Sequence, residues 1–120
     1  MAETLTDSGS VKLAAGADAS TTIIDNPTYM TTIITEAEGV IMGEAKEDFV
    51  TNFASYSAAK RQIMTTATTC LAACEVIAYD MTSYPTLADA QTKLDVNWAK
   101  YEKSMKQLKE DDNKKFIIRN

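Results

Sequence analysis

The chain of 120 residues contains no histidine. No side chain therefore has an ordinary pKa close to neutrality to act as a base, no Cys-His pair exists, and the Glu-x-x-His pattern of di-iron bundles cannot form. A Gly-rich phosphate loop and a Gly-x-Ser-x-Gly elbow are missing as well. Glycine and proline are scarce, 4 and 2, which argues against a turn-rich all-β fold. No run approaches the roughly 18 apolar residues of a membrane span. The opening Met1-Ala2-Glu3-Thr4 has neither the basic nor the apolar part of a signal peptide, so the expectation is a protein made and kept in a cytoplasm, with no membrane. The two cysteines, Cys70 and Cys74, are four apart and stack on one helical face as small core hydrophobes. A zinc site would need two further soft ligands that the chain does not own. Neither an enzyme nor a cofactor is expected.

What the chain does have is 45% hydrophobic and 24% charged residues, enough for one domain with a small core that buries roughly two-thirds of its unfolded surface. Its charge of −5 is unevenly spread: residues 1–57 carry two lysines against nine acids, net −7, and residues 58–120 carry ten bases against eight acids, net +2. An acidic pI near 4.6 without a basic stripe argues against nucleic-acid binding as the primary role. The dipole suits head-to-tail attraction between copies; the plainer alternative is solvated faces that keep the protein soluble.

The periodicity predicts an all-α fold, a small antiparallel bundle of three main helices near 27–43, 58–82 and 86–109. Asn26-Pro27 is a helix start, after which Met30, Ile33, Ile34, Ala37, Val40 and Ile41 mark one face that ends near Gly43. Ile63, Ala67, Cys70, Cys74, Ile77 and Met81 recur every three or four positions in the second run. The four threonines Thr65, Thr66, Thr68 and Thr69 imply that packing, not propensity, holds it. In the third run Leu87, Gln91, Leu94, Trp98, Tyr101, Met105 and Leu108 form a seam. Ser83-Tyr84-Pro85-Thr86 hinges the two, Pro85 stopping one helix and Thr86 capping the next. Trp98, Leu94, Ile77 and Ile34 are expected inside. The aromatic linker from Phe49 to Tyr56 is expected to plug one end of the bundle.

Residues 1–22, rich in Ala, Ser, Thr, Gly and Asp, are expected to form a flexible arm, with Thr21-Thr22-Ile23-Ile24 a short extended piece at its end. The bundle domain then covers 23–110. Glu36, Glu38, Glu44, Glu47 and Asp48 read as solvated acids rather than a catalytic cluster. Residues 111–120 read as a docking tail, in which Phe116-Ile117-Ile118 after Lys114-Lys115 is a strand-like triplet without a local mate, either packed on its own domain or added to another chain.

The string Tyr79-Asp80-Met81-Thr82-Ser83-Tyr84-Pro85-Thr86-Leu87-Ala88-Asp89-Ala90-Gln91-Thr92-Lys93-Leu94-Asp95, then Leu108-Lys109-Glu110-Asp111 and Phe116-Ile117, resembles the head-to-tail connector (adaptor) proteins of tailed bacteriophages. Ile34-Thr35-Glu36-Ala37-Glu38-Gly39-Val40-Ile41 and Phe49-Val50-Thr51-Asn52-Phe53-Ala54-Ser55-Tyr56 are similar to the same family's first helix and linker. The resemblance covers nearly the whole chain and lies in the order and spacing of these strings. It implies a virion protein in a homo-oligomeric ring, usually a dodecamer, between the portal protein above and tail or neck proteins below, assembled in the host cytoplasm. It also implies that the ring lines the channel of DNA ejection, and that Lys114, Lys115, Phe116, Ile117 and Ile118 contact the portal or a neighbouring subunit. An acidic lumen would repel the duplex and let it slide without sequence-specific binding. The alternative reading is a free cytoplasmic helical interaction module, a small chaperone or regulator.

Overall fold

A computed structural model describes residues 5–16, 19, 21–46, 48–79, 81 and 84–119, with the backbone alone at 21 and 110–119. Among the described residues there are five α-helices, α1 (Ser8–Ala15), α2 (Thr21–Ile24), α3 (Pro27–Ala45), α4 (Ala58–Tyr79) and α5 (Leu87–Arg119), with a 3-10 turn at Phe53–Ser55. There is no strand among the described residues. The all-α bundle expected from the periodicity is present, and its three long helices pack on one another.

Local chemistry sets the boundaries. Asn26 accepts from the backbone N–H groups of Thr28 and Tyr29 at 3.0 and 3.2 Å, with Pro27 in the first turn where its missing donor costs nothing. α3 runs past the expected stop at Gly43 to Ala45, because Lys46 adopts the left-handed conformation (φ 58°) and returns its N–H to the Met42 carbonyl. Ser57 caps α4 through the Lys60 N–H at 3.2 Å. Thr86 caps α5 as expected, its hydroxyl accepting from the Asp89 N–H at 3.0 Å. Of the hinge that was expected at 83–86, Ser83 lies outside the described residues.

The core runs through Met30, Ile34, Ala37 and Ile41 of α3 and Met64, Ala67, Leu71 and Ile77 of α4, closed by Tyr101, Met105 and Leu108 of α5. Phe49 is fully buried at one end of the bundle, edge-on to Tyr56 with ring centroids 5.8 Å apart. The Lys60 ammonium sits 4.9 Å from the Tyr56 centroid, so the aromatic linker is the plug that was expected.

Four expectations change. First, the arm is built into the domain from Leu5 onward. Asp7 caps α1, Val11 and Ala15 have no exposed surface, and Leu5 donates its N–H to the buried Glu38 carboxylate at 2.9 Å. The last carbonyls of α1 receive donors from afar, the Tyr84 hydroxyl on Ala15 at 2.7 Å and the Asn97 amide on Ala14 at 3.2 Å. Residues 1–4 lie outside the described residues. Second, Thr21–Ile24 is a helical turn rather than an extended piece, because burying Ile23 outweighs the β preference of its branched side chains. Third, Trp98 is 46% exposed and Leu94 is half-buried. A straight helix of 3.6 residues per turn drifts from a seven-residue seam, and the polar Asn97 takes the inward place because its amide has two carbonyls to meet, Ala14 and Lys93. Trp98 packs instead on Tyr101 at 5.0 Å. Fourth, residues 111–119 are helical, not strand-like, because α5 is already formed and each added residue extends it without a new nucleus.

Candidate functional site

The expected contact residues Lys114, Lys115, Phe116, Ile117 and Ile118 fall in the last turns of α5, and their side chains lie outside the described residues. What surrounds the root of that segment is defined. Leu108 is fully buried, and Lys109 meets Glu44 near the end of α3 at 3.1 Å. α5 has 33 residues against 22 in its antiparallel partner α4, so it outruns the bundle by eleven, about 16 Å at 1.5 Å per residue. The long axis of the molecule, 52 Å, is close to the length of α5 itself, and the radius of gyration of 14.9 Å exceeds the roughly 13.6 Å of an ordinary domain this size.

Several grooves mark the surface of the described residues, two of them broad. One lies between α1, α4 and α5, with a volume of about 620 Å³. Thr65, Thr66 and Thr69 line its wall, Lys93 and Lys100 line another side, and Leu13 stands at the edge 85% exposed. The other lies between α2, α3 and α4, about 660 Å³, floored by Ile23, Ile33 and Ala78 and flanked by Tyr29 and Tyr79, which are 44% and 56% exposed. Its polar edge is Glu75, which hydrogen-bonds to Glu36. Burial first, then the Glu36 charge, raises the Glu75 carboxyl above its ordinary value.

The acids that the sequence gathers near α3 are dispersed to separate tasks. Glu38 is buried and holds Leu5, Glu44 pairs with Lys109, and Asp48 accepts from the Thr51 N–H, which lowers its pKa. Glu36 faces Glu75 across the two helices, and Glu47 lies outside the described residues. The thiols are free and buried. Cys74 points at the Leu94 carbonyl, 3.6 Å away, and burial chiefly, then the neighbouring charges of Cys70, Glu75 and Asp95, pushes it up to about 11. Burial raises Cys70 too, with Lys100 opposing. Among the described residues no three His, Cys, Asp or Glu side chains converge in a way that would hold a metal ion, and no helix is long and apolar enough to cross a membrane.

No family model, no curated protein and no solved structure matches the chain. The geometry offers a helical end that projects and open grooves on the bundle's surface. The grooves themselves had no signal in the sequence. Each is assembled from three separated segments, so no single stretch of sequence marks it.

Proposed function

We propose that the protein is a structural component of a tailed-phage virion, a connector subunit that assembles as a ring beneath the portal and joins the capsid to the tail. The resemblance of its ordered strings to the adaptor family supplies the setting, the twelve-copy ring and the portal as a partner. The physical observation that carries the reading is the overhang of α5. A helix that continues about 16 Å past its bundle carries the sequence Lys114-Lys115-Phe116-Ile117-Ile118-Arg119, and an apolar triplet in a projecting helix favours assembly with another chain. In a ring the acidic first half of one copy would face the more basic second half of the next, and such rim charges act mainly on the rate of encounter.

The test is copurification with assembled particles. A tagged chain expressed during particle assembly should sediment with portal-bearing capsids and be seen by electron microscopy at one vertex. Ile117→Asp should leave the fold intact and abolish that sedimentation. A protein found free in the lysate, with capsids lacking it, would sink the virion reading in favour of a free interaction module.

A further inference from the structure

We infer that the groove between α2, α3 and α4 receives the end of α5 from a second copy of this chain, joining copies head to tail. The inference rests on the self-association in the proposed function and not on its capsid setting.

The match is one of apolar character and charge together. The groove has an apolar floor of Ile23, Ile33 and Ala78 and an acidic edge at Glu75, which Glu36 neighbours from outside the lining. The end of α5 reads Lys114-Lys115-Phe116-Ile117-Ile118-Arg119, an apolar triplet between cations, and Lys115 and Arg119 are four apart on one helical face. Two carboxyls held close repel when both ionise, and the raised affinity of Glu75 for a proton reports that strain. A guanidinium or ammonium from outside relieves it where no cation is supplied within the groove's lining. The groove between α1, α4 and α5 is the wrong partner. Its charged lining residues are Lys93 and Lys100, which would repel the same cations.

Topology decides whose tail it is. α5 runs antiparallel to α4, so its end lies beyond Ala58, whereas the groove lies by Ala78 and Tyr79 at the other end of α4. The 22 residues between these ends span about 33 Å, and α5 points away, so a chain cannot fill its own groove. The two surfaces are different, hence the contact is heterologous and propagates until rotation closes it into a ring. Two turns of helix in a groove bury well under the roughly 1,200 Å² of a standard interface, so a single contact is weak and closure has to add to it.

The experiment uses the full-length chain in analytical ultracentrifugation over about 1–100 μM, where small interfaces dissociate. Wild type should gain mass with concentration. Ala78→Arg in the groove and Ile117→Asp in the tail should each weaken association about tenfold or more. Mixed in equal amounts, they should form a 1:1 pair and nothing larger, since one open groove and one intact tail remain. Tyr79→Glu, on an exposed side chain, repeats the groove arm if circular dichroism shows Ala78→Arg unfolded. Wild type that stays monomeric overturns the inference and leaves the groove to some other partner. Either variant associating like wild type overturns it as well, as does a mixture that stays monomeric. Assembly that behaves as expected in a protein absent from capsids would defeat the virion reading alone.

Discussion

Removing one oxygen atom tests whether α1 belongs to the domain. The Tyr84 hydroxyl donates to the Ala15 carbonyl at 2.7 Å, and both residues are buried, at 4% and 0% exposure. Ala15 ends α1, so its carbonyl has no partner within the helix. Tyr84→Phe keeps the ring and its packing but removes the donor. A hydrogen bond of this kind contributes about 0.5–1.5 kcal/mol net, and an acceptor left buried and unmet costs about 1–3 kcal/mol, so the two overlapping terms predict a loss of about 1–2 kcal/mol. For a domain this size that is a melting shift of roughly 4–8 °C, at about 4 °C per kcal/mol. The local readout is sharper than the global one. Undocking of α1 becomes easier by the same free energy, so hydrogen exchange at the amides of Val11 to Ala15 should quicken by about 5–30-fold while amides in α4 change less. If the melt and the exchange of α1 are both unchanged, α1 is not held by this bond and the original expectation of a loose arm stands.

Leu108→Ala, at a fully buried site, should cost about 2–5 kcal/mol, whereas Leu94→Ala on the half-buried part of the same helix should cost clearly less; equal losses in urea melts would place the seam elsewhere. Glu75 has a raised folded-state pKa, so its ionisation destabilises the fold as pH rises from the ordinary value of 4.5 upward. Glu75→Gln should accordingly raise the melting temperature at pH 7 and change it little at pH 4, and the reverse pattern would mean that the Glu36 pair is favourable. Cys74, with its thiol at about 11, should resist alkylation at pH 8 in the native protein and react promptly in denaturant. Rapid native labelling would show that the face between α4 and α5 opens to solvent.

The long helices were legible because their signals are local. Asn26-Pro27, Ser57 and Thr86 act within three residues of themselves, and a 3.6-residue period needs nothing beyond its own helix. α1 was illegible for the opposite reason. Of its two large apolar residues, Val11 is buried and Leu13 is exposed, and its carbonyls are met by residues 69 and 83 positions away. Trp98 misled because an aromatic at a seam position outranks an asparagine next to it in any hydropathy count. The asparagine wins only when a carbonyl waits inside. The triplet Phe116-Ile117-Ile118 read as a strand by its composition, yet an established helix extends at little cost through residues that would not have begun one.

The partners that complete α1 set the order in which the molecule can be finished. Asp7 and Ser10 can close its first turn as soon as they are joined, since that bond spans three residues. An eight-residue helix is marginal alone, and the groups that secure its other end are Tyr84 and Asn97. On the ribosome α1 must therefore wait until α4 and the first turns of α5 have emerged, and it docks against a hairpin that is already formed. The closing step in folding is then the attachment of a segment made before the elements that hold it, with α1 contributing little to the transition state and much to the rate of unfolding.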